Sequence, residues 1–330
     1  MTQPIPTPSD EWFRHPLRGP GSAERCYHLL HLGGPVVLHA GRGLWPDAGR
    51  RTGFAGITTG SVQYALRLAE PVVDGDDADR PSVGPLRIEA VDPLREIRLV
   101  LEGADIPLAF DLTYSARFQP VLTEPNRIEH EGRLVTDYTN LFQSGSYDGT
   151  VVVDGAEHSV TGRAGFRDRG WGVRKHEGSP RRGLVVAMFC ELEAEAIYLI
   201  LYETASGRRV FTNGWRLDHG GADQVAAAEH RLLFADGLLA GGSVDLAFAS
   251  GQERTVDLEV EGRLFLTPVG YTTDPSRSVP GAERHDVTDP AVVAALDGQN
   301  DNACRFRVGD AEGHGYTETG LGEHVAYRPQ

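Results

Sequence analysis

The sequence is short of lysine, cysteine and long apolar runs, and each shortage excludes something. Lys175 is the only lysine among 32 basic residues. A Schiff-base enzyme or a phosphate-binding loop would have to use it, and it stands in neither context. The three cysteines, Cys26, Cys190 and Cys304, are odd in number and widely scattered. They read as buried thiols in a reducing compartment and not as a disulfide frame. No stretch approaches the roughly 18 apolar residues of a membrane span. The opening MTQPIPTPSDEW has neither a basic segment nor an apolar one, so no signal peptide is expected and the reading is cytoplasmic.

Positive charge is also scarce. With 32 basic against 47 acidic residues the net charge is −15, which repels phosphate backbones and anionic bilayers, so nucleic acid is not an expected partner. Motifs are missing too. There is no G-x-S-x-G elbow, no H-E-x-x-H, and Gly41-Arg42-Gly43 lacks the strand–helix setting of a dinucleotide site. The twelve histidines are scattered, with only His28 and His31 near each other, and on a strand those two face opposite ways. No cofactor and no metal are expected.

What the 330 residues do contain is strand signal. Runs such as 25–32, 62–70, 86–91, 96–102, 106–118, 133–143, 146–153 and 158–166 alternate apolar and polar residues or are rich in β-branched and aromatic types. Asp154-Gly155 between two such runs is a strong hairpin signal. The second half repeats the style over 184–192, 196–203, 208–217, 226–234, 243–248, 255–260, 304–308 and 314–319. Only Pro290–Leu296, with Thr288 or Asp289 as cap, reads as helix. Short strands at this spacing predict an all-β fold of two domains, 1–177 and 178–330, joined through the polar linker Lys175–Gly183. Residues 268–289 read as an irregular stretch of the length that often forms a lid.

The densest chemistry is Gly162–Arg174, GRAGFRDRGWGVR. If it runs extended, Phe166, Asp168 and Gly170 share one face while Arg167, Arg169 and Trp171 share the other. Two readings compete. In one, an arginine stacks on Trp171 and the segment closes a barrel. In the other, Asp168 handles a proton and Trp171 stabilises positive charge in a substrate. Keeping Asp168 protonated at neutral pH requires about 4 kcal/mol of differential stabilisation. Arg167 and Arg169 would oppose that unless the alternation aims them elsewhere.

The run Tyr147-Asp148-Gly149-Thr150, then Asp154-Gly155, then Gly165–Arg174, resembles the carotenoid 1,2-hydratase (hydroxyneurosporene synthase)-like superfamily, in particular its actinobacterial members with an R-D-x-x-W-G-x-R signature. Gly313–Gly320 is similar to that family's closing strand, G-x-x-Y-x-E-x-G. The resemblance implies two tandem lipocalin-like (calycin) antiparallel β-barrel modules with few short helices and a hydrophobic pocket in or between them. It also implies cofactor-free chemistry on large unsaturated terpenoids or polyketides: hydration, or cyclisation of the Diels–Alderase kind. The family's Asp and Trp fall on Asp168 and Trp171, and its downstream Tyr–acid pair is matched by Tyr202-Glu203. Its histidine beside the Asp is replaced by Arg169, which cannot give up a proton at working pH and argues against carotenoid hydration as such.

These strands supply further candidates. Glu203 and Glu318 join Asp168 as possible proton carriers, with Trp171 beside them. Tyr114, Tyr138, Gln143, Arg169, Tyr202 and Trp215 are candidate pocket residues, although the bland reading of each is a satisfied core or rim side chain. The expectation is a cofactor-free cyclase, isomerase or hydro-lyase acting on a hydrophobic small molecule. The rival is a lipocalin-like carrier with no chemistry. A carboxylate buried against the substrate space separates the two. Oligomeric state is not legible.

Overall fold

The computed structural model describes residues 5–17, 19–73, 75, 77–130, 132–174, 183–270, 279–296 and 299–321. The linker residues 175–182, and with them the domain boundary at 177/178, lie outside that set.

The first module is a curled antiparallel sheet. In chain order it contains β1 (Ser22–Gly33), β2 (Val36–Trp45), β3 (Arg50–Thr58), β4 (Val62–Pro71), β5 (Ser82–Val83) and β6 (Leu86–Asp92). Then come β7 (Glu96–Leu101), β8 (Leu108–Ala116), β9 (Val121–Leu122), β10 (Asn126–His130), β11 (Arg133–Val153) and β12 (Ala156–Arg174). The order across the sheet is β4-β3-β2-β1-β12-β11-β8-β7-β6-β5, with β9 and β10 added on β11. The short β5 and its neighbour β6 come back against β3 and β4, so the sheet wraps around its own core. Leu30, Leu38, Ile57, Leu99, Leu112 and Tyr147 belong to that core.

The second module is a closed barrel. Its strands are β13 (Leu184–Leu192), β14 (Ala196–Glu203), β15 (Arg209–Asp218), β16 (Gly221–Ala235), β17 (Leu238–Phe248), β18 (Glu253–Phe265), β20 (Gln299–Val308) and β21 (Ala311–Leu321). Pairing of β13 with β21 closes the ring. Val186, Met188, Leu199, Val244, Val256 and Phe306 fill it. Cys26, Cys190 and Cys304 are free and buried in these two cores. The fold is therefore all-β, with two barrel-type modules in tandem.

Several elements match their expected positions for local reasons. Asp154 and Gly155 both adopt left-handed backbone, φ 51° and 77°, the geometry that joins twisted strands in a two-residue hairpin. The helix α2 (Pro290–Ala295) is capped by the Asp289 carboxylate, which accepts from the Ala291 amide at 2.8 Å. A four-residue helix, α1 (Leu266–Val269), precedes it.

The stretch 268–289 is a correction. Its residues 271–278 lie outside the described set, but β19 (Gly281–Asp286) is a regular strand that pairs with β4 of the first sheet. The chain thus returns from the second module to the first. Its sequence GAERHD is polar because the strand sits at the sheet edge, with Ala282, Arg284 and Asp286 exposed and Gly281, Glu283 and His285 only partly buried. The Gln63 amide reinforces the tie, donating to the Phe265 carbonyl and accepting from its N–H, both at 2.8 Å.

The modules meet along an aromatic seam. Phe166 and Phe189 have ring centroids 3.8 Å apart, and Phe189 stacks on Tyr316 at 4.6 Å. Phe142, Tyr198 and Trp215 complete the cluster. Among the described residues no helix is long and apolar enough to cross a membrane.

Candidate functional site

Strand β12 decides the geometry. Arg167 and Arg169 turn into the first module. The Arg167 guanidinium grips Glu11 with both arms, at 2.7 and 2.8 Å, and donates to Gln143 Oε1 at 2.9 and 2.7 Å. Arg169 donates to Glu24 Oε2 at 2.7 Å and to the Trp12 carbonyl at 2.6 Å. Trp171 lies on this side too, stacked on His15 at 4.1 Å with the Arg169 guanidinium 5.8 Å from its ring. Phe166 and Asp168 turn the opposite way, toward the second module. The alternation sends the two neighbouring cations away from Asp168 and into pairs of their own.

Cross-strand register then builds the site. Asp168 stands opposite Tyr27 on β1, and Asp301 stands opposite Glu318 on the β20–β21 pair. The two pairs come from different modules and meet at the junction, where the Tyr27 hydroxyl donates to Asp301 Oδ2. His39 Nδ1 lies 2.8 Å from the Tyr27 oxygen and 3.3 Å from Asp301 Oδ2. Gln299 donates to Glu318 Oε1. The β12 backbone can carry this layer because residue 170 is glycine; a Cβ there would come within 2.4 Å of the Tyr138 ring.

All three carboxyls are pushed the same way. Burial lifts Asp168 to about 7; Glu318 and Asp301 add to that, while Arg25 and Arg174 oppose it. Burial likewise lifts Glu318 to about 7, with Asp301 adding and Arg174, Gln299 and Arg25 opposing. Asp301 rises to about 7 from burial, which the hydrogen bond from Tyr27 only partly offsets. Burial drives His39 down to about 3, so its ring is neutral at physiological pH. Asp301 raises both Asp168 and Glu318, so the ionisation of one member bears on the others. Near neutral pH the group can both donate and accept a proton.

The cluster is graded from inside to outside. Asp301 is fully buried and Glu318 is 8% exposed, whereas Asp168 is half-buried and its carboxyl makes no hydrogen bond to a described residue. Arg25 and Arg174 flank the Asp168 end. Arg25 donates to the Tyr138 hydroxyl at 3.3 Å, and the two guanidinium groups lie 5.6 and 5.8 Å from the Tyr138 ring. Deep in the cluster, His39 Nε2 and Asp301 Oδ1 have no hydrogen-bond partner among the described residues.

The sequence candidates separate cleanly. Asp168 and Glu318 come together, Tyr138 stands at their outer edge, and Trp215 lies in the aromatic seam, its indole N–H unpartnered among the described residues. Tyr202 stacks on Phe211 at 5.4 Å, on the outer face of β14. Glu203 points to the other face of β14, ion-paired with Arg209 at 2.9 Å and 3.3 Å from His230 Nε2. Tyr114, Gln143 and Arg169 lie inside the first module, on the far side of β12 from Asp168. Trp171 is on that far side as well, so it and Asp168 do not share a face.

Asp301, Tyr27 and His39 escaped the sequence reading. A buried acid elsewhere, Glu191, did too; it pairs with Arg117 at 3.2 Å and accepts from the Ser144 hydroxyl. Burial raises Glu191 to about 8 against the lowering effects of Ser144, Arg117 and Tyr198. It is separated along β13 from the Glu318 neighbourhood by Phe189. Four clefts of about 580, 690, 410 and 440 Å³ open elsewhere on the molecule, and none is lined by Asp168, Asp301 or Glu318. Among the described residues, no group of three or more His, Cys, Asp or Glu side chains is arranged to hold a metal ion.

Comparison with known proteins supplies the family. A model described as a family of unknown function, DUF8625, matches residues 33–324. The chain belongs to that family. No curated protein matches it by sequence. Among solved structures it is similar to a protein assigned as AttH in Nitrosomonas europaea, with TM-score 0.64 and 13% identity over 97% of each chain. Kievitone hydratase from Nectria haematococca is similar with TM-score 0.56 and 14% identity, covering 96% of this chain and 93% of that one. CghA, solved with Sch210972, gives TM-score 0.55 and 11% identity over 92% of this chain and 89% of its own. These likenesses establish the two-module fold. The carotenoid hydratase resemblance read from the motifs is finer than they reach.

Proposed function

We propose that the protein is a cofactor-free hydro-lyase that adds water across a carbon–carbon double bond of a hydrophobic small molecule, or removes it, at the module junction. One observation carries the reading. Asp168, Glu318 and Asp301, contributed by both modules, form a buried carboxyl group poised near neutrality, burial outweighing the opposing charges of Arg25 and Arg174. A carrier of apolar ligands has no use for three desolvated acids, whose charged forms are costly to bury.

The chemistry balances within that group. Asp168, the half-exposed member, gives its proton to one alkene carbon. Water forms the carbon–oxygen bond at the other carbon, and its surplus proton passes to the remaining carboxylates. Tyr27 and the neutral His39 hold Asp301 in place. Trp215 and Phe142 offer aromatic faces to the cationic character that develops. Kievitone hydratase, which shares the fold, is by its name a hydratase; the substrate here is inferred only as an unsaturated, largely apolar molecule.

The test is incubation with a panel of prenylated phenols and linear polyenes in water enriched in heavy oxygen, followed by mass spectrometry. The expected product gains one water carrying the heavy isotope with wild-type protein and not with Asp168→Asn. Turnover that survives Asp168→Asn, or a product isomeric with the substrate and free of added oxygen, would overturn the assignment.

A further inference from the structure

A second cleft, away from the carboxyls, has its own chemistry. It opens where β18 of the second barrel passes the turn at Pro35 and Gly60 of the first module, beneath α2, and encloses about 580 Å³. That is within the roughly 300–1,000 Å³ of typical small-molecule sites. Leu238, Val260, Phe265 and Val293 give it apolar walls, and Arg263 lies among them.

Arg263 is the anomaly. Its Nε donates to Asn302 Oδ1 at 2.7 Å and one terminal nitrogen donates to the Leu239 carbonyl at 2.5 Å. Nη1 has no acceptor and no carboxylate pairs with the guanidinium among the described residues. Asn302 is itself fixed by Asn300, Thr317 and Thr319, so the cation is held in position by a neutral network. Two acids also line the cleft, but Asp236 is exposed and Glu261 leans to His31 at 3.6 Å and His314 at 4.0 Å. Burial lowers the Arg263 pKa from its ordinary value, with only Cys304 opposing. A half-buried charge without a counterion is costly unless something supplies one.

We propose that this cleft binds an amphipathic monoanion, an apolar chain ending in a carboxylate, with the carboxylate on Arg263 Nη1 and the chain along Val260, Leu238, Phe265 and Val293. The site is separate from the junction, and the inference does not rest on the hydro-lyase reading. An apolar acid suits it because one uncompensated donor group stands beside the hydrocarbon of Leu238, Val260, Phe265 and Val293.

The experiment uses the full chain, with decanoate as probe and decan-1-ol as its neutral counterpart, followed by titration calorimetry at low ionic strength. One decanoate should bind saturably, at least about tenfold tighter than the alcohol. Arg263→Gln, which keeps a donor toward Asn302, should erase that preference. Val293→Trp, a change on the covering helix, should block both probes and serves if the arginine variant does not fold. Asp168→Asn should leave decanoate binding intact, which separates this site from the junction. Equal affinity for acid and alcohol, a preference that survives Arg263→Gln, no saturable binding, or loss of decanoate binding in Asp168→Asn would each overturn the proposal.

Discussion

The two faces of β12 carry buried charge in opposite ways. On the inner face Arg167 and Arg169 meet Glu11 and Glu24 in paired, hydrogen-bonded contacts. On the outer face Asp168 meets Glu318 and Asp301, acids against acids. The consequence shows in the titration behaviour. Burial pushes Glu11 upward, but the charge and hydrogen bonds of Arg167, the Leu94 amide and Arg169 outweigh it, and the net shift is down. Burial pushes Asp168 upward, and the charges of Arg25 and Arg174 do not outweigh it. Residues one position apart thus differ in purpose: paired charge fixes a fold, whereas like charge held together stores exchangeable protons.

The comparison breaks most visibly by exchanging one residue from each face. Asp168→Asn should cut turnover by about 10²- to 10⁴-fold, the usual worth of a positioned acid–base group. It should leave the denaturation midpoint unchanged or raise it, because a desolvated acid is removed. Arg167→Leu should do the reverse, costing about 3–5 kcal/mol of stability by stranding Glu11 in the first module. Urea unfolding and initial rates on both variants check the pair. A stable Arg167→Leu or an unfolded Asp168→Asn would mean that the faces have been assigned the wrong way round.

How much of this was legible follows from where local pattern and tertiary demand agree. The period-two alternation of 166–171 placed Arg167 and Asp168 on opposite faces, and the structure keeps that division. It also removes the expected conflict between Asp168 and its neighbouring arginines, which are spent on Glu11 and Glu24. Asp301 was hidden because Gln299-Asn300-Asp301-Asn302 has the composition of a loop. It is a strand because Asn300 and Asn302 satisfy each other inside the barrel, at 2.9 Å, and leave Asp301 facing the junction. His39 was hidden by the glycines of β2 and β3. A Cβ at Gly41 would come within 2.3 Å of the Phe54 ring, and one at Gly56 within 2.3 Å of Val269. Those glycines seat side chains from neighbouring elements, a reason that local propensity cannot register.

A smaller effect sharpens the contrast through pH. The junction acids bind protons in the folded chain at pH values where the unfolded chain has released them. Their contribution to stability is complete below about pH 4 and is lost as pH rises through about 7. Glu11, with a lowered folded pKa, contributes above its unfolded value of 4.5 and is lost as pH falls. Between about pH 5 and 7 the junction term should dominate, and stability should fall with pH by up to about 1.4 kcal/mol per unit for each acid that stays protonated only when folded, levelling off above that. Asp301→Asn, which keeps an acceptor for the Tyr27 hydroxyl, should flatten that slope. An unchanged slope in urea titrations at several pH values would place the buried protons elsewhere.

The finest test concerns Trp171, which sequence resemblance pairs with Asp168 and geometry does not. Its ring is held by His15 at 4.1 Å and Arg169 at 5.8 Å, both on the inner face. Trp171→Phe keeps an aromatic surface and weakens both contacts, so the expected cost is about 1 kcal/mol of stability. Turnover should hold within a factor of about two, since a residue that does not face the reacting atoms has no differential interaction with the transition state. A loss of tenfold or more with the unfolding midpoint intact would show that the influence of the inner face crosses the strand. The charge pairs around Arg167 and Arg169 would then have to be counted as positioning residues for Asp168, and the division between the faces of β12 would be one of degree.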